Sequence, residues 1–165
     1  MPAPALPAAV SIRPMSSSDA AAIDQLFAAM SPQNRYRRFH AAVRTISAAM
    51  RRVLLDVDGL QRAAFVAEVV EGNEVRAIGI GRYAATGAGQ VDIAVAVADD
   101  FHRHGVGAAL VARTASAARA AGFRTLQADV LPENTAAIRL LRAAFPTATL
   151  RRDGTGLRMV AGLPA

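Results

Sequence analysis

Residues 91–122, VDIAVAVADDFHRHGVGAALVARTASAARAAG, constrain this chain more than any other stretch, because two incompatible periods meet there across one glycine turn. In 91–98 the bulky Val91, Ile93, Val95 and Val97 alternate with Asp92, Ala94, Ala96 and Ala98, the period of two that a pleated strand imposes. After Gly107 the period changes. Leu110, Thr114, Ala117, Ala118 and Ala121 fall at helical spacing, and Gly122 supplies a stop. A strand running through a turn into a helix leaves the first helical amides unpartnered, and Gly105 and Gly107 remove side chains that would block an approach to them. An anionic diphosphate suits such a turn, since the helix dipole adds partial positive charge where those amides donate.

A glycine turn by itself is also an ordinary strand-to-helix connection. Here the order is longer: a strand bearing an acid, the turn HRHGVG, a helix, a second strand FRTLQADVL, and then PENTAAIRLL. Together these resemble the GNAT superfamily of acetyl-CoA-dependent N-acetyltransferases. That family's motif is Gln or Arg, two residues, Gly, one residue, then Gly or Ala. Gly105 and Gly107 match it, and His102 stands where Gln or Arg is usual. The resemblance implies that acetyl-CoA is the co-substrate. It also implies that Val95, Ala96 and Val97 of the strand, the turn and helix start from His102 through Arg103, His104, Gly105, Val106, Gly107 and Ala108, and Asn134 make the binding site.

At 165 residues the chain has a one-domain length. Hydrophobic residues at 53% exclude a disordered chain, and the absence of cysteine excludes disulfides, thiolate metal sites and a cysteine nucleophile. No apolar run reaches the ~18 residues of a spanning helix, which predicts a soluble, cytoplasmic protein with no membrane partner. Residues 1–9, with three prolines, read as a flexible lead-in, and 10–163 as the domain. The net charge is +6, and all nineteen basic residues are arginine. A compositional habit of the source genome is the simpler account; an anion-attracting surface is the functional one.

Along the chain, 10–12 reads as a first strand. The segment SSSDAAAIDQLFAAM reads as a serine-capped helix with Asp19 in its first turn and Ile23, Leu26, Phe27 and Met30 on one face. SPQNRYRRFH predicts a short helix that packs Tyr36 and Phe39 inward and leaves its arginines in water; the competing reading is a rim for an acceptor or an adenosine. Its phrase S-x-x-x-R-Y-x-R-F, and the later IGIGRY, resemble the GNAT domain of bacterial Pat-type protein lysine acetyltransferases. Residues 46–57 predict a further helix with Met50, Val53, Leu54 and Val57 on one face. Residues 61–70 and 75–84 form a hairpin around EGNE, with Gly79 and Gly81 thinning one face of its second strand. Residues 123–131 are a strand, 133–144 a helix, and 147–150 with 155–160 a closing hairpin.

Asp92 is the one carboxylate of its strand and lies on the alanine-lined face, where a raised pKa would suit a general base; pairing with an arginine such as Arg82 is the structural alternative. The Pat-type resemblance assigns the catalytic role to Asp92, in a position those domains fill with glutamate. Aspartate is one methylene shorter, which implies a bridging water. The family also implies an oxyanion contact from amides near Val97, on a splayed and bulged strand, and often a tyrosine acid where this chain has Leu141. Glu68 and Glu133 are reserves. His102 and His104 alternate as a metal pair would, but lack a further ligand, so no metal is expected.

The expected fold is therefore α/β (α+β), a single GNAT-like domain whose mixed, mostly antiparallel twisted sheet of about six to seven strands is flanked by about four to five helices. The expected activity is acetyl transfer from acetyl-CoA to a primary amine, a protein lysine first and a small-molecule amine second. A non-catalytic module for CoA or acyl-CoA remains the alternative class, nucleic acid is not expected as a partner, and a homodimer is left open.

Overall fold

The computed structural model describes residues 5–87 and 89–164. The lead-in lies partly outside those residues. Seven strands form one sheet in the order β1-β2-β3-β4-β5-β7-β6. The strands are β1 (Val10–Pro14), β2 (Arg62–Glu71), β3 (Glu74–Gly87), β4 (Gln90–Val97), β5 (Thr125–Val130), β6 (Thr149–Asp153) and β7 (Gly156–Gly162). Only β4 and β5 run parallel, because the helix between them carries the chain back across the sheet. The helices are α1 (Ala20–Ala28), α2 (Pro32–Phe39), α3 (Ala48–Leu55), α4 (Val106–Ala120) and α5 (Thr135–Ala144). The expected fold class holds in strand number, helix count and mixed pairing.

Alternation on β4 becomes a choice of layer. A Cβ placed on Gly79 would meet Leu110 Cδ1 at 2.8 Å, and one on Gly81 would meet Thr114 Oγ1 at 2.7 Å, so this face of β3 lies directly under α4. Val97 and Val95 pair with those two glycines across the β3–β4 ladder and share that face. Asp92, Ala94 and Ala96 therefore look the other way, towards the layer of α1, α2 and α3. The two glycines admit a helix, not a ligand. Because the Gly81 contact involves Leu110 backbone as well as side chain, Gly81→Ala should lose about 1–3 kcal/mol of stability in chemical denaturation. Gly79→Ala should cost less, since its shortest contact is a leucine methyl that can turn away.

The α1 face packs as its periodicity predicts, with Ile23, Leu26, Phe27 and Met30 all buried. Its cap does not. Asp19 occupies the N-cap position without capping; it accepts instead from Arg13 at 2.8 Å and from the Ser16 amide at 2.7 Å, while Arg13 also holds Glu68 at 2.7 Å. The hydrogen bond from Arg13, resisted by burial, holds the Asp19 carboxyl at about 2. A carboxylate depressed in the folded state stabilises at pH values above its unfolded pKa, and that stability disappears as pH falls through the folded one. Asp19→Asn should thus cost about 1–2 kcal/mol near pH 7, discounted because Arg13 is 40% exposed, with the deficit closing between pH 4 and 2 in urea melts.

Candidate active site

The β4–β5 ladder is short. Gln90, Val91 and Asp92 pair with Thr125, Leu126 and Gln127, and from Ile93 onward the two strands diverge. The phase of the backbone follows from one bond: Ala98 N–H donates to the Ile78 carbonyl at 2.8 Å, so alternate residues Ala96, Ala94 and Asp92 direct their main-chain groups to β3. The amides of Val95 and Val97 then point into the gap that β5 vacates, while that of Ile93 still donates to β5. The β3–β4 register runs unbroken from Val91 to Val97, so the expected bulge in this strand is absent; register shifts lie instead at Ala67/Glu68 and Ala85/Gly87. Divergence alone opens the gap. The amide of Ala96, predicted to serve binding, is committed to β3, and Ala96 contributes only as a wall.

The gap is part of a cleft of ≈ 880 Å³ between α2, β4, β5, the start of α4 and α5. At its α4 end Gly105 is the N-cap with φ 80, a left-handed conformation suited to glycine, and Ala109 makes the first helical bond back to the Gly105 carbonyl. The amides of Val106, Gly107 and Ala108 precede that bond and have no intrahelical acceptor. Arg103, also left-handed at φ 62, brings the turn beside them. Gly107 faces Leu140 across the cleft, where an added Cβ would stand 3.3 Å from the leucine tip.

Several predicted residues reach the cleft and others do not. Val95, Ala96, Val97, His102, Arg103, Gly105, Gly107, Ala108 and Asn134 line it. Val106 is fully buried and offers only main chain, while His104 turns away to the His102 carbonyl at 2.9 Å and the Phe101 ring. His102 Nε2 lies 3.0 Å from the Val97 carbonyl, so this imidazole braces the end of β4. Asn134 uses its side-chain oxygen to cap α5 at Ala137. Of the reserves, Glu68 belongs to the Arg13 cluster, and neither it nor Glu133 lines the cleft. Among the described residues no group of three His, Cys, Asp or Glu could hold a metal.

Asp92 is the last β4 residue paired to β5, where the two strands part, and it is not among the residues that line the cleft. Its Oδ1 is buried with no hydrogen-bond partner. Burial, and then repulsion by Asp129, push its pKa up, against the opposing pull of Gln127, Arg158 and Arg38. Asp129 is itself paired to Arg158 at 2.8 Å.

α2 borders the cleft through Asn34, Arg37 and Arg38, nearer to the competing expectation of a rim than to arginines left in water. Asn34 Nδ2 donates to the Val97 carbonyl and to Asp99, each at 2.8 Å, fixing α2 to the end of β4. Burial alone would raise the Asp99 pKa, but the Ser31 and Asn34 hydrogen bonds outweigh it and hold Asp99 below the ordinary value. Arg37 and Arg38 of α2 also line the cleft and Phe39 packs on Phe27, whereas Tyr36 is 43% exposed. The spacing of Asn34 and Arg38, one helical turn apart, was the signal available.

Fold and cleft together define an α/β domain whose sheet splits to take a ligand between two parallel strands, with an anion cradle at the head of the split. The chain belongs to the acetyltransferase (GNAT) family, a family of acyltransferases, whose model matches residues 23–145. It is 39% identical over 118 residues to acetyltransferase PA5475 of Pseudomonas aeruginosa, an alignment covering 71% of this chain and 63% of that protein; the chain thus spans under two thirds of that relative's length. The crystal structure of the GNAT domain of S. lividans PAT superposes with a TM-score of 0.83 at 26% identity, covering 93% of this chain and 90% of that one. The yncA protein of Salmonella typhimurium, solved with its cofactor acetyl-CoA, shares the fold with a TM-score of 0.70 at 21% identity, covering 94% and 95%.

Proposed function

We propose that this protein transfers an acetyl group from acetyl-CoA to a primary amine, a lysine of a protein, by direct attack in a ternary complex. One observation carries the reading: the cleft that opens where β4 and β5 part has unpartnered helix amides at its α4 end, and Asp92, with a buried, partnerless oxygen, stands at the last β4–β5 pair before the parting. The residues present suit the donor. Val106, Gly107 and Ala108 amides and Arg103 match a diphosphate, and the free amide of Val95 matches a chain of amides and carbonyls laid along β4. When bound, acetyl-CoA supplies an activated acetyl carbon and a thiolate leaving group.

Asp92 takes the proton from the acceptor ammonium through bridging water, because five residues of β4, roughly 16 Å, separate it from the Val97 amide. Its raised pKa makes it a stronger base than an ordinary carboxylate. The Val97 amide donates to the oxygen on which negative charge develops, a contact whose loss typically costs ~3 kcal/mol. Neither tyrosine of the chain can serve as the thiolate's acid, because Tyr36 faces solvent and the Tyr83 hydroxyl is buried on the Leu60 carbonyl; Leu141 fills the position in question. Water therefore reprotonates the thiolate.

The preference for a protein lysine rests on the likeness to the S. lividans PAT domain, whose fold match is high along nearly the whole chain. A panel of lysine peptides and small amines, read by CoA release, tests the reading. Transfer to peptides is the expected result, and transfer confined to small amines would replace the acceptor. No heat on mixing with coenzyme A or acetyl-CoA would remove the proposal altogether.

A further inference from the structure

Both main-chain groups of Val97 face the side that β5 leaves, because the N–H and C=O of one strand residue point the same way while Ala96 and Ala98 take the β3 side. The N–H is wanted there and the C=O is not. A bare carbonyl oxygen beside the Val97 N–H would oppose the negative charge that the N–H is placed to meet. A buried acceptor left unpaired is also costly in itself. The structure closes that carbonyl twice over. Asn34 Nδ2 lies 2.8 Å from the Val97 oxygen and His102 Nε2 lies 3.0 Å from it, and both side chains line the cleft.

Asp99 settles which atoms donate. Its Oδ1 stands 2.8 Å from the same Asn34 Nδ2, and two oxygen acceptors around one amide terminus identify it as the NH2 group with both hydrogens in use. His102 Nε2, 3.3 Å from that nitrogen, therefore carries its own hydrogen and gives it to Val97. Ala98 N–H, donating to Ile78 at 2.8 Å, holds the same peptide plane from the β3 side. Attachment of α2 does not require the Val97 bond, since the Ser31 amide already ties the start of the helix to Asp99 at 3.0 Å. We infer that Asn34 is a positioning residue for the transfer step: with His102 it saturates the Val97 carbonyl, so that the end of β4 offers the reacting acyl oxygen a donor and no competing acceptor. The inference rests on the Val97 amide being the contact for the developing charge.

Acetyl-CoA isotope-labelled at its acetyl carbonyl provides the test, read by infrared difference spectroscopy on the full chain. Bound to the native protein, the thioester carbonyl band should move to lower frequency, the mark of a hydrogen bond accepted from Val97. Asn34→Ala leaves His102 as the one donor to that carbonyl, and should lose part of the shift and lower kcat roughly tenfold. Asn34→Asp keeps the side-chain volume but turns the donor into an acceptor, and should lose more of the shift and cost roughly 100-fold. Asn34→Ala combined with His102→Ala should exceed the product of the two single losses, because only then is the carbonyl bare. Calorimetry with coenzyme A, which has no acetyl carbonyl, should return the native affinity in the Asn34 variants. An unmoved band in the native complex, or the native band and kcat in Asn34→Asp, would overturn the inference. So would a kcat loss that follows a falling melting temperature while the band stays in place. A band that responds to Asn34 in a protein that acetylates no acceptor would instead overturn only the transfer reading.

Discussion

Asp92→Asn is expected to lower turnover by ~10²- to 10⁴-fold, the usual contribution of a positioned base, while calorimetry returns an unchanged affinity for acetyl-CoA. The amides that would hold the donor are main-chain groups beyond the reach of this side chain, so binding and chemistry separate cleanly. The acid limb of the kcat/KM profile should lie above the ordinary carboxylate range, because burial and then Asp129 raise the Asp92 pKa, and it should vanish in the variant. The stability consequence has the opposite sign to that of Asp19. A carboxyl raised in the folded state binds its proton more tightly there than in the unfolded chain, so stability is lost as pH rises through the interval between the two values. Asp92→Asn should therefore melt at the same or a higher temperature near pH 7. Undiminished turnover would take Asp92 out of the mechanism and leave a binding module as the better description.

Gly107→Glu should weaken coenzyme A binding by roughly 100-fold, since it sets a carboxylate among the amides that the diphosphate would occupy. Its Cβ meets the tip of Leu140 at 3.3 Å, which a rotamer change relieves, and Val97 Cγ2 at an ordinary 3.7 Å. An acidic side chain in the first turn of α4 also complements the helix dipole. Thermal stability should thus hold or rise while affinity falls, a combination that general misfolding would not produce. Unaltered affinity in calorimetry would place the phosphates elsewhere.

The strand and helix faces around the central turn are legible from residue order because each follows from local geometry: β4 shows its two faces, and Val106, Leu110, Val111, Thr114 and Ala118 of α4 are buried at helical spacing. The glycine cradle is legible for the same reason. α2 packs Phe39 on Phe27 as expected but turns Tyr36 outward and Arg38 inward, because the docking of Asn34 on Val97 and Asp99 sets the rotation of the whole helix. His104 and Asp19 were misplaced likewise, drawn off by hydrogen bonds to the His102 carbonyl and to Arg13.

Order along the chain determined the strand-turn-helix at Gly105, the single acid on β4 and the glycines beneath α4, because each depends on backbone periods and on the space a missing side chain leaves. Only the tertiary structure decided that β7 sits between β5 and β6, that β4 and β5 part after Asp92, and that Arg38 lines the cleft. Those are outcomes of competition among distant segments for the same hydrogen-bonding edges and the same buried volume.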